Sequence, residues 1–258
     1  MKRVFWGIFL SIFFGFMTYA WAVQVNPVGV YWDLQVSYGS GSDIGDGTID
    51  SDSSQWLTPT LPHQYTVPQD KELELQDSDG YFYVYSSYNA TNTDNFYALI
   101  LGMADEDYST NTDWYYALSK VAVASNPFGG ESLFTLSFDW NIDFYFDTAY
   151  DSGRAGYAVG LIDWTETTDP YNPVFVHQET VFFTDDASGH YENSWNLDPT
   201  HEYLFGVGIL AEVNGTSYAD SLVEITNLNA QEVPEPASML LVGAGLGVLA
   251  LFGRRKKA

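Results

Sequence analysis

The sequence predicts an all-β protein built as an antiparallel β-sandwich, similar to a jelly roll. Three observations support this prediction. Aromatic residues make up 17% of the 258 residues, and flat rings pack well on pleated strands. Apolar and polar residues alternate between residues 28 and 228, and Gly, Pro, Asn and Asp separate the alternating segments. No amphipathic helix is indicated in that region, so we expect one sandwich domain over residues 23–232.

The clearest strand is predicted at residues 134–146. Its alternation places apolar side chains from Phe134 to Phe146 on one face and polar ones, with Tyr145, on the other. This is typical of a strand that separates core from water. Nine further strands are predicted at residues 28–38, 81–88, 96–104, 114–124, 156–164, 174–184, 191–197, 203–213 and 221–228. Residues 39–54 are rich in Gly, Ser and Asp, and we expect a mobile surface loop there.

Charge is distributed unevenly along the chain. The net charge is −25, yet residues 23–232 contain only three basic residues, Lys71, Lys120 and Arg154, beside 33 of the 34 acidic ones. Such a surface repels phosphate, so nucleic-acid binding is excluded. Cysteine is absent, which excludes disulfides, thiol catalysis and thiolate metal sites.

The amino-terminal residues 1–22 are predicted to be a signal peptide. Lys2 and Arg3 precede an apolar stretch, and Ala20 and Ala22 supply the small residues that signal peptidase requires. Because the sequence turns polar directly afterwards, we expect cleavage after Ala22 and export. The alternative is an uncleaved membrane anchor.

A second membrane signal occupies residues 233–258. Residues 239–253 are uncharged and predict one transmembrane helix. The basic tail at residues 254–258 stops transfer and should stay cytoplasmic, which leaves residues 23–232 outside. Its charges are Arg254, Arg255, Lys256 and Lys257. The preceding segment is Val233, Pro234, Glu235, Pro236, Ala237 and Ser238. Its two prolines hold the chain extended, as proteases generally require.

This order of motif, apolar helix and basic tail resembles the PEP-CTERM sorting signal of Gram-negative bacteria, with Pro234-Glu235-Pro236 as the namesake tripeptide. The resemblance implies cleavage near the motif by an exosortase. It also implies transient anchoring in the inner membrane, then delivery to the cell surface or the extracellular exopolysaccharide matrix of a biofilm. Similar tails are also catalogued as the C-terminal segment of ice-binding proteins.

Calcium is the candidate cofactor, because it takes hard oxygen ligands from flexible loops. Four acidic residues could cluster in the predicted loop, and Asp220 could ligate a structural calcium. The four are Asp43, Asp46, Asp50 and Asp52. The competing interpretation is a solvated loop.

A polar ledge for a cation or a sugar is predicted on the wet face of residues 134–146. Asp139, Asn141 and Asp143 should follow one another at about 7 Å along that strand. A merely solvated stripe is the competing interpretation. Three tryptophans could supply an aromatic platform but are expected in the core. They are Trp114, Trp164 and Trp195.

No catalytic motif is found in residues 23–232. The four histidines show no metal-ligand spacing, and no nucleophile elbow is present. They are His63, His177, His190 and His201. The sequence therefore predicts a non-catalytic exported protein of the surface or exopolysaccharide matrix. Two alternatives stay open: a calcium-assisted carbohydrate-binding module, and a secreted glycoside hydrolase, which needs only two suitably spaced carboxylates.

Overall fold

Fourteen β-strands make up the regular structure of the described residues. The computed structural model describes residues 23–40, 48–53, 70–76, 82–104, 113–129, 133–147, 151–169 and 172–233. The strands are β1 (Val23–Gln24), β2 (Pro27–Ser40), β3 (Thr48–Ser53), β4 (Asp70–Gln76), β5 (Phe82–Asn92), β6 (Asn95–Ala104), β7 (Asp113–Ser125), β8 (Phe128–Gly129), β9 (Leu133–Phe146), β10 (Ser152–Asp163), β11 (Val174–Phe183), β12 (Ala187–Asn196), β13 (Glu202–Gly215) and β14 (Tyr218–Val233).

The strands form two antiparallel sheets of seven strands each. Sheet A has the order β12-β9-β14-β6-β5-β4, with β1 also paired to β14. Sheet B has the order β11-β10-β13-β7-β2-β3, with β8 also paired to β13. The predicted antiparallel sandwich is confirmed. Within the described ranges, no helix has the length and apolarity to cross a membrane.

Aromatic rings from both sheets fill the space between them. On β9, Phe138 stacks on Tyr191 at 4.9 Å between ring centroids and meets Tyr157 of sheet B edge-on at 5.4 Å. Phe134 contacts Phe205 of sheet B at 5.6 Å. Each fully buried phenylalanine contributes about 1.5–3 kcal/mol through removal of apolar surface from water. These rings therefore join the two sheets.

All ten predicted strands are present, with ends that differ by a few residues. The expected mobile loop at residues 39–54 is wrong in part, because Thr48–Ser53 form β3 at the edge of sheet B. β4 was not predicted either. Neither sequence signals a core strand, since β3 is polar apart from the exposed Ile49 and β4 is mostly charged. Pairing with β2 and with β5 holds them in the extended conformation.

Several predictions lie outside the described residues. They concern the signal peptide with Ala20 and Ala22, the motif from Pro234 to Ser238, the helix at residues 239–253 and the basic tail. Asp43, Asp46 and His63 lie outside them as well.

Candidate functional site

The side of sheet A that faces away from the core carries the candidate site. Alternation on β9 buries Phe134, Leu136 and Phe138, so the residues between them point outward. The same alternation holds on β14, where Ala219, Val223 and Ile225 are buried. We call the outward-pointing residues of β4, β5, β6, β9, β12 and β14 the outer face of sheet A.

Strand register arranges this outer face in rows that cross the sheet. In one row Tyr145 of β9 pairs with Asp220 of β14, Asp220 with Leu101 of β6, and Leu101 with Tyr85 of β5. At a strand spacing of about 4.8 Å, this row extends for roughly 14 Å from the first tyrosine to the last. The adjoining row contains Tyr218, Met103, Tyr83 and Gln76.

Apolar surface is exposed on this face. In the two rows Tyr145 is 52% exposed and Met103 41%, and further along β6 Tyr97 is 37% exposed. The ring of Tyr145 meets that of Tyr218 edge-on, with centroids 5.4 Å apart. Large exposed rings that lie side by side on a sheet are typical of a binding surface.

Two shallow depressions lie on the outer face of sheet A. One, of about 410 Å³, is lined by Tyr145, Asp147, Tyr218 and Asp220. The other, of about 430 Å³, lies where β4, β5 and β6 meet. It is lined by Asp70, Lys71, Glu72, Tyr85, Ser87, Tyr88, Asn89 and Tyr97. Each combines tyrosine rings with hydrogen-bonding groups, as ligand sites commonly do.

Asp220 and Tyr218 form the polar part of the first depression. The Tyr218 hydroxyl donates to Oδ2 of Asp220 at 2.9 Å. Partial burial, followed by the Asp220 carboxylate, raises the pKa of Tyr218 to about 12. Tyr218 is therefore a neutral donor at physiological pH, and Asp220 accepts its hydrogen bond.

The predicted ledge residues all point outward from β9. The Asn141 side chain donates to Oδ2 of Asp143 at 2.8 Å. Asp139 has both carboxylate oxygens engaged: Nδ2 of Asn227 donates to Oδ2 at 2.8 Å, and Nδ1 of His190 lies 2.7 Å from Oδ1. These two hydrogen bonds hold the pKa of Asp139 below its ordinary value. Asp143, with more exposure, is the ledge residue best placed to meet a ligand.

Asn227 reaches Asp139 because the backbone of β14 is irregular there. The pairing register of β14 with β9 shifts between Thr226 and Asn229, and Asn227 has a φ of 56°. Its backbone N–H donates to Oδ1 of Asn95 at 3.0 Å. Asparagine tolerates the left-handed region better than most residues. This β-bulge therefore aims the Asn227 amide at the outer face.

The other predicted site residues lie apart from this face. Asp50 and Asp52 are on β3 of sheet B, where they pair with Val36 and Leu34. Their grouping with Asp43 and Asp46 as a calcium site stays a prediction. Of the tryptophans, Trp114 is 8% exposed and Trp195 packs against the core. Trp164 is half-buried in the turn after β10.

Tyrosines, and not tryptophans, provide the aromatic surface, and sequence reasoning missed most of them. Tyr145 was the available signal, because it stands on the polar side of the 134–146 alternation. The contributions of Tyr85, Tyr97 and Tyr218 depend on which strands are neighbours in the sheet.

A histidine–carboxylate pair joins two turns at the end of sheet B. Nδ1 of His201 lies 2.7 Å from Oδ2 of Asp163, a residue only 8% exposed. The hydrogen bond with Asp163 raises the pKa of His201. Oδ1 of Asp163 accepts the backbone N–H of Glu166 at 3.1 Å. This pair has a structural role, since it ties the turn after β10 to the segment before β13. Among the described residues, no group of three or more His, Asp or Glu could hold a metal ion.

Fold and surface together define an antiparallel β-sandwich protein with a tyrosine-bearing sheet face. Among solved structures it is similar to a family 16 carbohydrate-binding module, with 12% identity, a TM-score of 0.26, and 51% of this chain and 85% of that one covered. The chain is also similar to the CBM22-1 xylan-binding domain of Paenibacillus barcinonensis Xyn10C, with 9% identity and a TM-score of 0.25. That match covers 53% of this chain and 83% of the other. A third similar structure is a carbohydrate-binding module of the β-sandwich superfamily, with 11% identity and a TM-score of 0.27. That match covers 82% of this chain and 97% of the other. TM-scores of this size assign no ligand.

The family model of the PEP-CTERM protein-sorting motif matches residues 232–257. The sorting motif predicted from Val233 onward is therefore confirmed, and it marks an exported protein for exosortase processing. No curated protein matches the chain. The matched segment overlaps β14, where Glu232 pairs with Phe134 and Val233 with Leu133.

Proposed function

We propose that this chain is an exported, non-catalytic protein of the cell surface or exopolysaccharide matrix, and that its sandwich binds polysaccharide along the outer face of sheet A. The row from Tyr145 through Asp220 and Leu101 to Tyr85 carries the proposal. Pyranose rings pack their C–H faces on aromatic rings, and their hydroxyls bond to carboxylates and amides. A row of roughly 14 Å on an open sheet suits a linear chain of sugars.

The route to the surface follows from the two ends. Signal peptidase removes residues 1–22 after Ala22, and the helix at residues 239–253 holds the chain in the inner membrane with its basic tail in the cytoplasm. Exosortase then cuts near Pro234-Glu235-Pro236 and releases the sandwich to the surface of a Gram-negative cell.

Mass spectrometry of the protein from surface fractions tests the processing. We expect an amino terminus at Val23 and a carboxyl terminus close to the Pro-Glu-Pro motif. Recovery of the surface protein with the intact Arg-Arg-Lys-Lys tail would contradict exosortase cleavage.

A glycan array tests the binding. The full chain in detergent should be retained on immobilised polysaccharides. The array is run with calcium and with a chelator, because calcium is the proposed cofactor. Loss of retention in the chelator would support the calcium-assisted form. Absence of retention under both conditions would overturn the binding function.

Hydrolysis of polysaccharide is the second candidate, because Asp147 and Asp220 line the same depression. Two carboxylates are the minimum set for a glycosidase. Each bound polysaccharide is therefore also assayed for new reducing ends. Their appearance, and its loss in Asp220→Asn, would favour the hydrolase over the binding protein.

A further inference from the structure

Carboxylates surround the tyrosines on the outer face of sheet A. Asp143, Asp220 and Glu224 lie at its centre on β9 and β14. Asp70, Glu72 and Glu74 border it on β4. Unlike charges attract a ligand and like charges repel it, so this density of one sign decides which polymers can approach.

Of the lysines and arginines among the described residues, only Lys71 lines a depression of that face, beside Asp70 and Glu72. Lys120 pairs with Asp33 at 3.2 Å on sheet B, and Arg154 pairs with Glu212, also on sheet B. The ammonium of Lys71 lies over the Trp32 ring, 5.9 Å from its centroid, on the inner side of β4. On the outer face, Nδ1 of His190 lies 2.7 Å from Oδ1 of Asp139.

The carboxylates also stand next to individual tyrosines. Glu224 is the cross-strand neighbour of Tyr97, and Glu72 accepts a hydrogen bond from the Tyr85 hydroxyl at 3.2 Å. Asp220 borders Tyr145 and Tyr218 in the first depression. An ammonium group placed between a ring face and a carboxylate makes two favourable interactions, a cation–π contact with the ring and an ion pair with the carboxylate.

We infer that the outer face of sheet A selects polysaccharides that carry free amino groups, an inference that rests on the polysaccharide-binding function proposed above. Each tyrosine–carboxylate pair receives one protonated sugar amine, while the neighbouring ring packs on the tyrosine. Polymers of uronate or sulfated sugars are repelled by the same carboxylates. A neutral polymer keeps only the ring packing and binds more weakly.

The test compares oligosaccharides that differ in acetylation alone. Isothermal titration of the full chain in detergent, at mildly acidic pH, uses a glucosamine oligomer, its fully N-acetylated counterpart of equal length and an oligouronate. We expect the glucosamine oligomer to bind at least about tenfold more tightly than the N-acetylated one, and its affinity to fall as salt screens the charges. The oligouronate should give no heat of binding.

Variants locate the effect on the face. Asp220→Asn combined with Glu224→Gln should lower affinity for the glucosamine oligomer by about tenfold and lower that for the N-acetylated oligomer much less, because only the ion pairs are lost in full. Glu202→Gln is the matched control, since it removes an exposed carboxylate from β13 of sheet B. It should change neither affinity.

The possible outcomes distinguish failure of the amino-sugar inference from failure of polysaccharide binding. Equal binding of the two oligomers would overturn the amino-sugar inference and leave polysaccharide binding in place. No binding of any oligosaccharide would overturn both. Poly-lysine is the probe for a basic protein partner. If it bound as tightly as the glucosamine oligomer, and Tyr145→Ala weakened neither, the face would be a general cation surface and the inference would be wrong.

Discussion

The ring of Tyr115 on β7 of sheet B occupies the space directly above Gly102 on β6 of sheet A. A Cβ atom added at Gly102 would overlap Cε2 and Cδ2 of that ring. Tyr115 itself is fully buried. The absence of a side chain at residue 102 therefore lets a large ring from one sheet lie against the backbone of the other.

Gly102→Ala should destabilise the protein by about 1–3 kcal/mol, because the methyl group overpacks the core against a fully buried ring. Urea unfolding measures the change. Gly206→Ala is the control, since a Cβ there would come no closer than 3.7 Å to the carbonyl oxygen of Val123. That variant should be as stable as the original or slightly more stable. Equal stability of both variants would show that Tyr115 does not fill the space.

Tyr115→Phe should leave the free energy of unfolding unchanged or raise it. The Tyr115 hydroxyl is buried and makes no hydrogen bond within the part of the chain that the structure describes, so its removal loses no bond and avoids a desolvation cost. Burial, followed by the Asp151 charge, raises the pKa of this hydroxyl. A loss of more than about 1 kcal/mol in urea unfolding would mean that the hydroxyl has a partner.

The His201–Asp163 pair should make stability depend on pH. The pKa of His201 is raised in the folded protein, so the protonated form stabilises the fold. This contribution is fully present below the unfolded pKa of about 6.5 and is lost as pH rises through the folded pKa. Glu166, at 3.8 Å, and Asp198 add to it.

Thermal unfolding of the original protein and of His201→Gln across this range measures the effect. The difference in Tm should be largest at mildly acidic pH and should shrink above neutrality. The other histidines are common to both proteins, so their effects cancel. A difference that stays constant with pH would rule out the charged pair.

Tyr145→Ala should weaken polysaccharide binding by about tenfold without a change in Tm, because a half-exposed ring contributes contact to a ligand and little to the core. Phe182→Ala is the matched control. Phe182 is an aromatic residue of similar exposure, 47%, on β11 of sheet B. Equal loss of affinity in both variants, measured by titration, would place the binding surface elsewhere.

Asn227→Ala should cost about 1 kcal/mol more stability than Asn227→Gly. Both variants lose the hydrogen bond to Asp139, but glycine accepts a φ of 56° without strain and alanine does not. Urea unfolding of the two variants gives the difference. Equal stabilities would show that the bulge relaxes when the asparagine is replaced.

Much of the fold was predictable because alternation is a local signal. The alternation from Phe134 to Phe146 predicted β9 and its buried face, and the same pattern predicted nine other strands. β3 and β4 were missed because most of their residues are polar or charged, and pairing with β2 and β5 holds them extended. Of the candidate site, the side of Asp139, Asn141 and Asp143 followed from alternation alone.

The sequence alone determined the acidic character of residues 23–232, the alternating strands and the sorting motif, since each of these is carried by neighbouring residues. Only the tertiary structure decided that Tyr85, Tyr97, Tyr145 and Tyr218 share one face. These residues come from four strands, and their meeting depends on strand order and register across sheet A. A shift of one residue in any of those strands would turn its tyrosine from the outer face into the core.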